Sequence, residues 1–250
     1  MLKKDYYVAS LSYGKDSLAM LIKIKELGLP LDEVIFCEIM FDDKISGIHP
    51  KQLEFINEAR KILKERFDID VIHLKAIKSY KEQFYTKKEK GKRVGQIYGF
   101  PVLIGAWCNG RLKLQVIAKH FVALKKQYNV IQYIGIASDE EERIKQKDNV
   151  IYPLVDLGIT EDMAKDICIN NNLYSPLYND DIHRDGCWFC NKQSLNSLRD
   201  IYVNYPEQWK LLLELDNDSP YTFRANGETV HDLDKRFKKE TAQTTIFDFM

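Results

Sequence analysis

Short apolar runs alternate with longer stretches of helical period over the first half of the chain, and this alternation narrows the fold more than any other feature. Tyr6 to Ala9, Val34 to Ile39, Val71 to Leu74 and Val130 to Ile136 read as strands. Between them, Ser17 to Leu27, Pro50 to Arg66 and Leu112 to Tyr128 carry apolar residues three and four apart, as amphipathic helices do. Strands that are almost continuously apolar and joined by helices need cover on both faces. The expected fold is therefore α/β and Rossmann-like, a mostly parallel sheet with helices on both sides, and ligands on such sheets lie at the carboxyl ends of the strands.

The second half reads differently. Thr160, with Glu161 and Asp162 behind it, predicts a capped helix to about Asn171, and Ser194 to Val203 and Pro206 to Leu215 predict two more. The last 30 or so residues read as irregular and polar. The expected organisation is an α/β domain over residues 1–158 and a small helical region over 159–250 that carries Cys187-Trp188-Phe189-Cys190. At 45% hydrophobic and 12% aromatic residues, the chain is too apolar for disorder. Charges interrupt every apolar stretch before the ~18 residues of a membrane span, so no membrane partner is expected. Five cysteines, an odd number, fit a reducing compartment, and the expected location is cytoplasmic. The 37 basic and 37 acidic residues balance, which still permits local patches.

The segment Ser10-Leu11-Ser12-Tyr13-Gly14-Lys15-Asp16-Ser17 joins the first strand to the first helix. A loop there aims backbone N–H groups and the positive helix end at an anion, with the Ser12 and Ser17 hydroxyls and the Lys15 charge to assist. It is not a Walker A loop, because the glycine spacing is wrong and no Ser or Thr directly follows the lysine.

The string Ser12-Tyr13-Gly14-Lys15-Asp16-Ser17 resembles the S-G-G-x-D-S signature of the PP-loop ATP pyrophosphatase superfamily, with Tyr13 at the first glycine. A side chain at residue 13 then has to turn away from any phosphate. Within that superfamily the chain is similar to the phosphoadenosine phosphosulfate (PAPS) and adenosine phosphosulfate (APS) reductase family over most of residues 6 to about 215. The likeness is carried, in order, by Phe41-Asp42 with His49-Pro50, Trp107-Cys108 with Arg111 and Lys113, Gly135 to Arg143, Tyr152-Pro153-Leu154, Ser175-Pro176-Leu177 and the CxxC. Ala137 stands where the family often has arginine, and no cysteine after Cys190 matches the catalytic one of thioredoxin-dependent PAPS reductases.

The resemblance implies an adenine nucleotide alpha hydrolase-like fold and an enzyme that binds ATP, with Mg2+, or PAPS/APS. Ser10, Ser12, Gly14, Lys15, Asp16, Ser17, Asp42, Gly135 and Asp139 would bind the nucleotide. Lys15, Asp16, Arg111, Lys113 and Arg143 would serve catalysis, the cations by neutralising charge at the reacting phosphorus or sulfur. The chemistry would be adenylation with pyrophosphate release, or sulfur transfer.

Cys187 and Cys190 beside His183 have the spacing of metal ligands or of a redox dithiol. The resemblance adds Cys108 as a third ligand, for a 4Fe-4S cluster with an open iron or, with His183, for Zn2+; packed thiols are the alternative. Cys37 and Cys168 read as core. Lys75 to Arg93 holds eight basic and two acidic residues with Tyr80, Phe84 and Tyr85 among them, which suits either an RNA contact with base stacking or a lid over the nucleotide. An alternative reading is a nucleic-acid-associated protein that uses the loop only for nucleotide binding or regulation.

Overall fold

A computed structural model of the chain describes residues 3–101, 105–145, 147–179 and 186–247. In chain order the elements are β1 (Asp5–Leu11), α1 (Lys15–Glu26), β2 (Glu33–Glu38), α2 (Pro50–Phe67), β3 (Val71–Lys75), α3 (Tyr80–Tyr85) and α4 (Trp107–Asn109). A π-helical turn at Gly110–Leu114 follows, then α5 (Gln115–Leu124), β4 (Asn129–Ile134), β5 (Val150–Ile151), α6 (Pro153–Asp156) and α7 (Glu161–Asn170). The helices α8 (Leu195–Asn204), α9 (Pro206–Asp218) and α10 (Val230–Phe247) complete the series. They divide between two compact units. One gathers Met1–Glu38, Pro50–Ala76 and Lys113–Asn179; the other gathers Ile39–His49, Ile77–Leu112 and Asp180–Met250.

All five strands lie in the first unit and form one parallel sheet in the order β3-β2-β1-β4-β5. The chain winds outward from β1 through α1 and α2, then returns through α5 to β4 on the other side of β1. Right-handed crossovers place helices from the two windings on opposite faces. Val8, Ile35 and Val130 form the core of one face, where Ile117, Phe121 and Leu124 of α5 pack on it. The reversal of winding leaves a crevice between the carboxyl ends of β1 and β4, where such sheets take ligands. The expected α/β, Rossmann-like architecture is what the chain adopts.

The π-helical turn interrupts the single helix expected over Leu112 to Tyr128, and it contains Arg111 and Lys113. Such turns recur at functional sites because one extra residue re-aims the side chains around it.

In the second unit α8, α9 and α10 pack on one another. The expectation of an irregular tail is corrected here, since Val230 to Phe247 is helical. Its start is a reciprocal cap in which the Asp232 N–H donates to Thr229 Oγ1 at 3.1 Å and the Thr229 N–H to Asp232 Oδ2 at 3.1 Å. Val230, Leu233 and Phe237 then fall on one face and are fully buried, with the Phe237 ring 5.6 Å from Trp209. The polar composition hides this stripe, because among the described side chains three apolar positions carry it. No helix among the described residues is long and apolar enough to cross a membrane.

Candidate functional site

The loop after β1 lies at the winding reversal. Tyr13 has φ 61°, the left-handed backbone that glycine adopts most easily, and its ring turns into the core, 4.9 Å from Phe36 in an edge-on contact. The backbone at residue 13 thus takes the left-handed form that suits glycine, while the side chain anchors the loop from below. The Tyr13 hydroxyl has no hydrogen-bond partner among the described residues, and burial pushes its pKa up.

Ser12 and Ser17 bind the loop to the helix start. Ser17 Oγ accepts from the Ser12 N–H at 3.1 Å, lies 3.1 Å from Ser12 Oγ and donates to the Gly14 carbonyl at 3.0 Å. Gly14 caps α1 without a side-chain acceptor, so the first N–H groups of the helix have no intrahelical partner and point the positive dipole end at the loop.

Two further residues press on this loop. A Cβ on Gly135, just past β4, would lie 2.8 Å from the Asp16 carbonyl oxygen and 2.8 Å from Ser17 Cα, a separation that real Cβ atoms do not reach. Cys168 on α7, buried as expected, donates from Sγ to the Lys15 carbonyl at 3.2 Å, and burial pushes its thiol to about 12. Ser10 lies within β1 and accepts from Gln132 Nε2 at 2.8 Å, a cross-strand bond.

Around Lys15 the first unit gathers Asp16 with two acids that the sequence did not single out. Asp16, Glu140 and Glu161 offer carboxylate oxygens that all lie within 4.8 Å of one another. Lys15 Nζ reaches Asp16 at 3.1 Å and Glu161 at 2.5 Å, and Arg143 pairs with Glu140. Burial pulls the Lys15 ammonium down, but its bonds to Glu161 and Asp16 outweigh that and leave its pKa above the ordinary value. The Asp16 carboxyl moves up, chiefly by burial and against the pull of Lys15. Glu140 Oε2 is buried with no hydrogen-bond partner among the described residues. Carboxylates at this spacing suit a hard cation such as Mg2+. Asp139 accepts from the Glu161 N–H at 3.0 Å and so fixes the start of α7. Glu161 reads from the sequence as part of a capped, acidic helix start and Glu140 as part of the Gly135 to Arg143 segment, so neither signal marks them as partners of Asp16.

Asp42, Arg111 and the thiols belong to the second unit. Asp42 Oδ1 accepts from the Lys44 and Ile45 N–H groups at 2.9 and 2.7 Å, closing a turn. Gly47, in the segment that follows, allows close packing, since a Cβ there would lie 2.3 Å from the Ile39 carbonyl and 3.0 Å from the Phe189 ring. The Trp188 N–H donates to the Gly47 carbonyl and its Nε1–H to the Ser46 carbonyl, each at 2.9 Å. These bonds hold the Cys187–Cys190 turn, which closes with the Cys190 N–H on the Cys187 carbonyl at 3.0 Å. Cys108 lies near Cys190, and burial, with that thiol second, raises its pKa to about 11. All three thiols lie in the second unit, and thiolates are the kind of donor that soft metals take. His183, the proposed fourth ligand, lies outside the described residues.

Two of the three rings expected of the basic stretch are buried, and Tyr85 is exposed. Tyr80 and Phe84 are core residues of α3, which begins at a Ser79–Glu82 capping box. Tyr85 donates to Asp218 at 2.6 Å. Lys88 lies over the Tyr221 ring at 4.6 Å and Arg93 at 5.0 Å, and Arg111 covers Tyr98 at 4.9 Å while donating to its hydroxyl at 2.7 Å. Sequence position alone could not separate a stacking ring from a core ring, because both fall among lysines.

The strand order and the winding reversal between β1 and β4 define the class, a doubly wound parallel α/β protein. No protein-family model matches the chain. It is 24% identical over 220 residues to the uncharacterized protein MJ0973 of Methanocaldococcus jannaschii, matching 82% of this chain and 47% of that protein, so it spans about half the length of this curated relative. Among solved structures it is similar to the U34-tRNA thiolase NcsA from Methanococcus maripaludis with its [4Fe-4S] cluster, at 18% identity and a TM-score of 0.38, over 95% of this chain and 72% of the other.

Proposed function

We propose that the chain is a PP-loop enzyme of the PAPS reductase-like kind, which binds ATP or PAPS/APS by its phosphate or sulfate end at residues 12–17. The observation that carries this reading is the left-handed backbone at Tyr13, which keeps a glycine-type loop under the helix start although the glycine is replaced. Ser12, Ser17 and the Gly14 and Lys15 amides would hold the anion. Asp16, Glu140 and Glu161 would take Mg2+, and Lys15, released from them, would turn its charge to the phosphate. Arg143 would then stabilise charge on the leaving group. With ATP the reaction is adenylation of an acceptor with release of pyrophosphate. With PAPS or APS it is sulfur transfer from the nucleotide.

Protein incubated with ATP, Mg2+ and candidate acceptors should release pyrophosphate, and Lys15→Ala should lower that turnover at least tenfold. Unchanged nucleotide binding and turnover in Lys15→Ala would overturn the site. A second centre is suggested by the Cys187–Cys190 spacing with Cys108 in the same unit, three residues that would ligate iron–sulfur or zinc once deprotonated. Anaerobic purification followed by iron, sulfide and zinc analysis tests it.

A further inference from the structure

Residues 86–99 turn back on themselves as a hairpin within the second unit, with Lys87 bridged antiparallel to Ile97. The Lys88 N–H donates to the Gln96 carbonyl at 2.8 Å, the Gly95 N–H to the Lys88 carbonyl at 2.9 Å and the Tyr98 N–H to the Thr86 carbonyl at 3.0 Å. Gly91 and Gly95, with φ of 89° and 85°, supply the left-handed residues that the tip requires. The hairpin carries Lys87, Lys88, Lys90, Lys92 and Arg93 against one acid, Glu89. In a chain whose basic and acidic residues balance, that is a concentrated positive patch.

The cations gather about two phenols. Lys88 Nζ and Arg93 Nη1 each donate to the Tyr221 hydroxyl at 2.7 Å, and both lie over its ring. Arg111 treats Tyr98 in the same way, and Lys88 lies 5.5 Å from the centre of that ring as well. Among the described residues the hydrogen bonds of these three cations go to phenol oxygens and none to a carboxylate. Each phenol oxygen serves there as an acceptor, which leaves its own O–H to donate elsewhere. Burial would raise the Tyr221 pKa, but Lys88 and Arg93 outweigh it and bring the phenol below its ordinary value, so the field at this spot favours negative charge. A set of cations and donors without a carboxylate answers to a ligand rich in anionic acceptor oxygens, as a phosphodiester chain is.

The posture of the side chains narrows the partner further. A ribbon that reads a duplex extends its side chains to the base edges of a groove, whereas Lys88 and Arg93 fold back on Tyr221. Rings and guanidinium groups beside a basic track suit unpaired bases. We propose that this hairpin, with Tyr98, Arg111 and Tyr221, is a binding surface for a single-stranded nucleic acid whose backbone phosphates its cations and phenol hydroxyls hold. The surface stands on the second unit alone and does not depend on the nucleotide reading of residues 12–17.

The test is fluorescence anisotropy of the full chain with a labelled oligouridylate of about 12 nucleotides. No ATP is added, and salt runs from about 50 to 200 mM. Wild type should bind, with an affinity that falls steeply as salt rises. Lys90 and Lys92 are exposed at the tip, so Lys90→Gln with Lys92→Gln should leave the melting temperature unchanged. The pair should weaken binding about tenfold or more at the lowest salt and flatten the slope of log affinity against log salt by about 1.4, or ~0.7 for each lost phosphate contact. Lys61→Gln with Lys64→Gln removes the same charge from exposed positions of α2 in the first unit and should leave affinity and slope near wild type. Tyr221→Phe keeps the ring and should weaken binding roughly 2–10-fold, the net value of one hydrogen bond. An oligothymidylate arm separates RNA from DNA, and binding of either one upholds the surface. Wild type that binds neither strand, equal losses in the two lysine pairs, or a duplex or polyglutamate bound as tightly as the single strand overturns the proposal. Unchanged binding in Tyr221→Phe overturns the part given to the phenols.

Discussion

The loop at residues 12–17 and the thiol-bearing segments are built on opposite principles. Residues 12–17 are consecutive, and their geometry follows from backbone: a strand end, one left-handed residue and a helix start. The thiols come from two distant segments, and aromatic packing holds those segments through Trp107, Trp188 and Phe189, their chain neighbours. A backbone-built site tolerates change at side chains that face away from it and fails when another backbone or Cβ intrudes. A packing-built site fails in the reverse manner, through loss of the rings that fill it.

The largest effect should come from the second kind. Trp188 is 1% exposed, its ring centroid lies 4.7 Å from Phe41, and its indole N–H is bonded to Ser46. Trp188→Ala should therefore destabilise by about 3–5 kcal/mol, read as the shift of the urea midpoint. It should also speed labelling of the Cys187 and Cys190 thiols. Nucleotide affinity at the loop should change far less, and an equal loss there would show that the two sites do not stand on separate supports.

Gly135→Ala reverses the pattern. The added methyl meets Asp16 and Ser17 backbone at 2.8 Å, and backbone there cannot swing aside as a long side chain would. Overpacking of this kind costs about 1–3 kcal/mol. The sharper expectation is a drop of more than tenfold in ATP affinity by calorimetry, with thiol labelling unchanged. A variant that binds ATP like wild type would show that the loop has slack the geometry does not suggest.

The same contrast explains what the amino-acid sequence revealed. Strand and helix periods are local, so β1 through β3 and the helices between them are legible, as is a polar loop at the first junction. The thiol pair was legible from its spacing, but Tyr80 was read as a ring for stacking on a base because lysines surround it in sequence. Whether an aromatic among charges faces solvent or core depends on residues far along the chain, here Phe189 and Trp107. Helix α10 was missed for a related reason: three buried side chains among many charges give a weak period, yet with a reciprocal cap they suffice. Glu161 has a local explanation as part of a capped helix start and Glu140 lies in a segment known only by likeness, and only the fold brings them to Asp16.

Tyr13 is where the two principles meet, and its substitution should have the smallest effect. The residue holds a left-handed backbone that costs a non-glycine side chain roughly 1–2 kcal/mol, and burial of its ring against Phe36 offsets that cost. The hydroxyl adds nothing, since it is buried without a partner among the described residues. Tyr13→Phe should accordingly stabilise the chain by about 1 kcal/mol, the net value of not burying an unpaired donor, and leave ATP affinity unchanged. Tyr13→Gly restores the signature residue and removes the strain, but it empties the space the ring fills, so it should destabilise. If Tyr13→Gly proved more stable than wild type, backbone strain would outweigh ring packing at this position. The loop would then have to be counted as wholly backbone-built, with its tyrosine a burden and not an anchor.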